Sequence, residues 1–155
     1  MGTIRIAEEP DFDGINSVIS ANRSKKDDMY QFPYIFSNHK DILPTKNQII
    51  FVTEEDRYVI AFLSLHNSDL FRNGSTAEFE MVVHPDSRDR KKHHGEILLK
   101  HVINYTKIET KVILLIAKVK KENVPSINLL QKCGFSCDKD KNDGIGYVMR
   151  LKINR

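Results

Sequence analysis

Residues 77–99 read Ala-Glu-Phe-Glu-Met-Val-Val-His-Pro-Asp-Ser-Arg-Asp-Arg-Lys-Lys-His-His-Gly-Glu-Ile-Leu-Leu. An alternating strand ends at Val83-His84-Pro85, a basic loop follows, and Gly95 stands where an apolar-periodic helix begins. The first turn of a helix has free backbone N–H groups and a partial positive charge, so it can hold a pyrophosphate. A glycine there lets the backbone come close to such a group. Arg88, Arg90, Lys91 and Lys92 add compensating cations. Taken alone, the basic run reads more simply as a solvated surface loop, so its weight depends on what surrounds it.

Upstream, apolar alternation predicts strands over residues 3–7, 48–53 and Tyr58–His66, the last two joined by a polar turn at 54–57, and then Thr76–Val83. Pro10 and Asp11 open a helix with Phe12, Ile15, Val18 and Ile19 along one face. Between residues 21 and 47 a further helix and a long loop are expected, carrying Tyr30, Phe32, Tyr34 and Phe36. Downstream, Ile97, Leu98, His101, Val102 and Tyr105 share one face of a helix over 95–105. The run Val-Ile-Leu-Leu-Ile-Ala after Lys111 suits a strand buried on both faces. A helix over 124–133 and a last strand over 146–153 complete the chain. The order β-α-(α)-β-β-β-α-β-α-β implies an α/β (α+β) domain over residues 1–155, a mixed sheet with helices on both faces.

Composition excludes several classes. With 155 residues, 40% of them hydrophobic and 29% charged, the chain is long and apolar enough for one globular core. Its net charge of +3 is too mild to argue for a nucleic-acid binder, and the basic run lacks the interleaved aromatics that stack bases. Two cysteines, Cys133 and Cys137, cannot build a disulfide framework or a four-ligand zinc site. His84, His93 and His94 lack metal-ligand spacing. The run 138–144 echoes a calcium loop, but its twelfth position is Met149, and it reads as a polar turn. No metal is expected. No stretch approaches the ~18 apolar residues of a membrane span, and no signal-peptide core opens the chain. The expectation is a cytoplasmic protein with no membrane or nucleic-acid partner; a homodimer is left open.

Two segments resemble the GNAT superfamily of N-acetyltransferases. Arg90-Lys91-Lys92-His93-His94-Gly95, followed by Glu96-Ile97-Leu98-Leu99, is similar to the family's Arg/Gln-x-x-Gly-x-Gly/Ala phosphate-binding motif, preceded here by Val83-His84-Pro85. His93 takes the place of the first glycine, and the loop after Pro85 is longer than the family spacing by about two residues. Independently, Asn123-Val124-Pro125-Ser126-Ile127-Asn128-Leu129-Leu130-Gln131-Lys132-Cys133-Gly134-Phe135 resembles the family's Asn-x-x-Ala/Ser-Ile-x-Leu-Tyr-x-Lys-x-Gly-Phe helix. Residues 4–15 also look like the family's first strand and helix. The resemblance implies a sheet of about six to seven strands flanked by about four helices, with acetyl-CoA as co-substrate. It further implies that the backbone of Met81, Val82 and Val83 pairs with the pantetheine arm. The donor would also be held by Arg88, Arg90, Lys91, Lys92, His93, His94, Gly95, Glu96, Asn123 and Ser126.

The implied reaction is direct attack by a neutral amine on the thioester in a ternary complex. The acceptor is a small molecule or a protein amino group. An amine with a pKa near ~10 arrives charged at neutral pH, so a base must take its proton. Glu78 and Glu80 share a strand face opposite Phe79 and Met81, and either could serve, directly or through water. A pair of solvent-facing carboxylates, or a recognition site for a cationic acceptor, fits the same residues. Where many family members carry a tyrosine as acid toward the leaving thiolate, this chain has Leu130. Tyr105 and Tyr147 are the alternatives, although Tyr105 reads more plainly as core. These departures motivate a second reading, a CoA- or acyl-CoA-binding module of the same fold with weak or no catalysis.

Overall fold

The computed structural model describes residues 2–24, 35–66, 75–89, 93–138 and 146–154. In chain order it has β1 (Thr3–Ile6), α1 (Phe12–Ser24), β2 (Gln48–Glu55), β3 (Tyr58–His66), β4 (Thr76–Val83), α2 (Pro85–Asp89), α3 (His94–Glu109), β5 (Leu114–Lys120), α4 (Val124–Lys132), β6 (Ser136–Asp138) and β7 (Gly146–Lys152). One turn of 3-10 helix, Glu9–Asp11, leads into α1, and another spans His39–Ile42. The strands form one sheet in the order β1-β2-β3-β4-β5-β7-β6. All neighbours are antiparallel except β4 and β5, which run parallel.

The period of two along each strand sorts the side chains onto two faces. Ile49, Phe51, Leu63, Phe79, Leu115 and Met149 bury against Leu98, Leu99 and Val102 of α3 and Leu130 of α4. On the other face Ile50, Val52, Phe62 and Val82 bury against Ile15, Val18 and Ile19 of α1, with Phe36 and Ile42 closing the layer. The expected mixed sheet with helices on both faces is what forms.

Several local expectations are corrected. α3 begins at His94 and runs to Glu109, and its buried stripe is Leu98, Leu99, Val102 and Thr106 rather than the face through Ile97 and His101. Both of those side chains are exposed. Thr106 is tolerated in the stripe because its hydroxyl donates to the Val102 carbonyl, so no polar atom is left unpaired. The apolar run after Lys111 enters the sheet only at Leu114, and it is not buried on both faces. Leu115, Ala117 and Val119 face α3 and α4, whereas Lys118 on the opposite face is exposed. The described part of α1 packs on β3 and β4. The short helix α2 and the short strand β6 were both unforeseen; β6 pairs with β7. Of residues 21–47, where a further helix and a long loop are expected, 25–34 lie outside the described residues, as does most of the turn at 138–144.

The C-terminal end of α4 follows from its sequence. Gly134 has φ 99°, its N–H donates to the Gln131 carbonyl, and the Phe135 N–H donates to the Leu130 carbonyl. This is the six-to-one, five-to-two pattern that a left-handed residue permits at a helix end. Phe135 then packs edge-on against Phe79, ring centroids 5.7 Å apart. Gly134→Ala puts a Cβ in a left-handed residue and 3.3 Å from Leu151 Cδ1. The expected cost is about 1–2 kcal/mol, read as a lower urea midpoint; an unchanged midpoint contradicts the assignment of strain.

Candidate active site

The site begins where two parallel strands part. β4 and β5 pair at Thr76–Leu114, Ala77–Leu115 and Glu78–Ile116, and then stop. Beyond Glu78, β4 stays on β3 as far as Val83–Ala61, while β5 stays on β7 as far as Lys120–Gly146. The two strands therefore diverge, and the edge of β4 over residues 79–83 has no pairing to β5. A parted edge of this kind can receive an extended amide-bearing chain by strand-like hydrogen bonding.

The start of α3 closes on this wedge. A Cβ built on Gly95 would lie 3.3 Å from Met81 Cε, 3.4 Å from Val83 Cγ2 and 3.4 Å from Leu129 Cδ2. Gly95 thus sits directly on the diverging end of β4 and against α4, an approach that a side chain would push apart. His93 caps the helix in the left-handed conformation, φ 59° and ψ 25°, and its carbonyl accepts from the Ile97 N–H. The conformation that a glycine adopts freely is held here by histidine, one of the residue types that tolerates it better. The first-turn N–H groups of α3 are not satisfied by a side-chain cap from His93, and such groups suit an anion.

His94, the first residue of α3, is buried and engaged at both ring nitrogens. Nε2 lies 3.0 Å from Glu55 Oε2 at the end of β2. Nδ1 is hydrogen-bonded to Ser87 Oγ in α2. A carboxylate accepts only, so Nε2 carries the hydrogen, and in the neutral ring Nδ1 accepts from the serine hydroxyl. Glu96, one turn in, is 2.7 Å from Lys132 Nζ of α4. Lys132 holds its carboxyl below the usual range, and Glu96 in turn raises the lysine.

Glu78 and Glu80 project from the opposite face of β4, as their parity requires. Glu80 Oε2 is 2.7 Å from His66 Nε2 on β3, and Glu78 Oε1 is 3.9 Å from Lys118 Nζ on β5. The hydrogen bond to Glu80 raises His66 above its ordinary value, against a lowering effect of burial. Both carboxylates sit at or just beyond the last β4–β5 pair, where the strands begin to part. His66 was missed in the sequence. It ends the apolar run of β3 at the same parity as Ser64, and only the β3–β4 register, which sets His66 opposite Glu78, brings it to Glu80.

The other expected residues divide. Met81, Val83 and Gly95 meet, but the Val82 side chain is buried on the α1 face. Asn123 caps α4 by accepting from the Ser126 N–H at 3.3 Å, so these two side chain and backbone groups serve the helix. Arg88 lies in α2 with its side chain outside the described residues, and Arg90, Lys91 and Lys92 are outside them entirely. Leu130 is buried in the core. Tyr105 packs edge-on against Phe51, centroids 4.9 Å apart, and burial raises its hydroxyl. Tyr147 lies beneath the Lys121 ammonium, 5.7 Å from the ring centre.

A sequence model described as the acetyltransferase (GNAT) family matches residues 15–135, well over half of the chain. The chain belongs to that family. A search of curated proteins finds no match. The GNAT fold recurs in solved structures that cover nearly all of this chain. An acetyltransferase of the GNAT family from Streptococcus pneumoniae aligns with a TM-score of 0.75 at 18% identity, over 99% of this chain and 100% of that one. A putative acetyltransferase, yncA, from Salmonella typhimurium, determined with its cofactor acetyl-CoA, aligns with a TM-score of 0.76 at 18% identity, over 99% and 95%. The paiA N-acetyltransferase from Thermoplasma acidophilum, in complex with coenzyme A, gives 0.74 at 18%, over 98% and 99%. At such identities the likeness speaks to the fold, and the wedge, the α3 start and the Glu80–His66 pair remain to be read as chemistry.

Proposed function

We propose that this GNAT protein transfers an acetyl group from acetyl-CoA to an amine, with the amine attacking the thioester directly while both substrates are bound. The observation that carries the reading is the wedge between β4 and β5 with the start of α3 pressed against it at Gly95. Membership in an acetyltransferase family makes acetyl-CoA the acyl donor, and two of the similar structures hold acetyl-CoA or coenzyme A. The residues present suit such a donor: the open edge of β4 for the pantetheine amides, and the first-turn N–H groups of α3 for the pyrophosphate. Arg88, Arg90, Lys91 and Lys92, which precede that helix in the sequence, supply positive charge for the same group. On the other face of the sheet Glu80, with His66 as its partner, takes the proton of the incoming ammonium directly or through water. Glu78, opposite Lys118, helps to draw a cationic acceptor to the same place.

Acetyl-CoA is expected to raise the thermal midpoint, because a ligand that binds only the folded state stabilises it. An absent shift counts against the donor. Thiol release is then measured over polyamines, aminoglycosides, amino acids and peptides with free amines. Turnover with at least one of them supports the transferase. A midpoint shift without turnover on any of them favours the second reading, a CoA-binding module. Leu130, a buried leucine where an acid is expected, is the observation that favours that alternative. A CoA thiolate with a thiol pKa near ~8.5 leaves without an acid at a tolerable rate, so the transferase reading stands first.

A further inference from the structure

We infer that Ser87, His94 and Glu55 act as one positioning unit that holds the start of α3 in the shape that receives the pyrophosphate of the acyl donor. The inference rests on the acetyl-CoA reading above and goes beyond it, since none of these three side chains is needed to account for the wedge or for the proton transfer.

The three residues come from three separate elements: β2, α2 and the first turn of α3. Ser87 and His94 are each more than nine-tenths buried. The Ser87 hydroxyl donates to His94 Nδ1, and His94 Nε2–H donates to Glu55 Oε2 at 3.0 Å. The imidazole therefore has both nitrogens satisfied, and on the buried Ser87 side an unmade bond is costly. Ser87 and His94 flank residues 88–93, so their hydrogen bond staples the two ends of the basic loop together. Glu55 ties that staple to the sheet.

The staple has a specific task next door. His93 is held left-handed, a conformation that strains a non-glycine residue and persists only where the surroundings over-determine it. His94, the next residue, is the one fixed from two sides. With its ring pinned, the peptide between His93 and His94 cannot rotate freely, and the N–H groups of the first turn stay aimed outward. Gly95, pressed on Met81 and Val83, fixes the other side of the same turn. In this chain the ring of His94 thus supplies the rigidity that lets the helix start without a glycine at position 93.

The test separates the pyrophosphate-bearing nucleotide end of the donor from its acetyl-pantetheine arm. Thiol release is measured with acetyl-CoA and with S-acetyl-pantetheine, which lacks the pyrophosphate, for the native protein, Ser87→Ala, Ser87→Thr and Glu55→Gln. The expected result is a fall of about tenfold in kcat/KM for acetyl-CoA in Ser87→Ala and Glu55→Gln, arising in KM. The acetyl-pantetheine value falls less than about twofold, and Ser87→Thr, which keeps the hydroxyl, recovers most of the loss. Equal loss with both donors, or no loss with either, overturns the inference. A native protein that neither binds CoA nor turns over either donor sinks the acetyl-CoA reading instead, an outcome distinct from the first two.

Discussion

Replacing Glu80 with glutamine is expected to lower turnover with an amine acceptor by about a hundredfold near pH 7. The loss shrinks as pH approaches about 10, where the amine arrives neutral and needs no base. Glutamine keeps the shape of the side chain and its place beside His66 but cannot accept a proton, so the comparison isolates that step. The pH profile carries a second expectation. Glu80 raises His66 above its ordinary value, so the limb of the rate governed by this pair lies above pH ~6.5 in the native protein. Without the carboxylate that support is gone, the lowering effect of burial gains weight, and the limb moves to lower pH in the variant. Glu78→Gln is expected to cost less than about fivefold, because Glu78 is well exposed and its lysine partner is 3.9 Å away. A loss from Glu80→Gln that is the same at every pH removes the base role and leaves Glu80 as a recognition group. Steady-state thiol release from pH 6 to about 10 distinguishes the two.

The parts of this site that were legible in the sequence are those fixed by local chemistry. β3 and β4 fall where period-two alternation puts them, and both ends of α4 follow from Asn123 and Gly134. His93, which takes the place of a motif glycine, adopts the left-handed conformation such a glycine would supply. What escaped the sequence depends on contacts between distant elements. His66 becomes a partner of Glu80 only through the β3–β4 register, and period-two alternation alone does not fix which residues lie opposite. The motif offers His94 only as one of the residues that hold the donor, whereas its side chain is engaged by Ser87 and by Glu55, thirty-nine positions away. Ile97 and His101 read as part of the buried face of α3, since a short helix offers two overlapping stripes. The core selected the one through Leu98, Leu99 and Val102, with Thr106 able to satisfy itself. The contacts of Glu96 with Lys132 and of the Ser126 N–H with Asn123 likewise depend on how α3 and α4 are placed and capped.

The largest effect on stability is expected at Asp11, far from the wedge in sequence but not in consequence. Its carboxylate accepts from Arg5 Nη1 at 2.6 Å, from Arg5 Nη2 at 2.8 Å and from the Glu8 N–H at 2.8 Å. Asp11 is buried, and Arg5 comes from β1, so the pair fastens the edge strand to the turn that starts α1. That helix covers the face of the sheet from which Glu80 projects. Asp11→Asn turns one acceptor oxygen into a donor facing a guanidinium and removes the charge, leaving Arg5 with Glu54, at 3.3 Å, as its anionic partner. Breaking a fully buried pair costs about 3–5 kcal/mol; Arg5 is 31% exposed, so about 2–3 kcal/mol is expected, or roughly 5–10 °C in midpoint. Burial alone would raise the Asp11 carboxyl, but Arg5 and the Glu8 N–H outweigh it and hold the group below its ordinary value. A carboxylate depressed in the folded state adds stability above its unfolded pKa of about 3.9, and that contribution is lost as pH falls through the folded value. The gap between native protein and Asp11→Asn in urea unfolding should therefore stay constant between pH 5 and pH 8 and close progressively below about pH 4. A gap that persists undiminished at pH 2, or one smaller than about 1 kcal/mol at pH 7, contradicts the assignment of this ion pair as the clamp between β1 and α1.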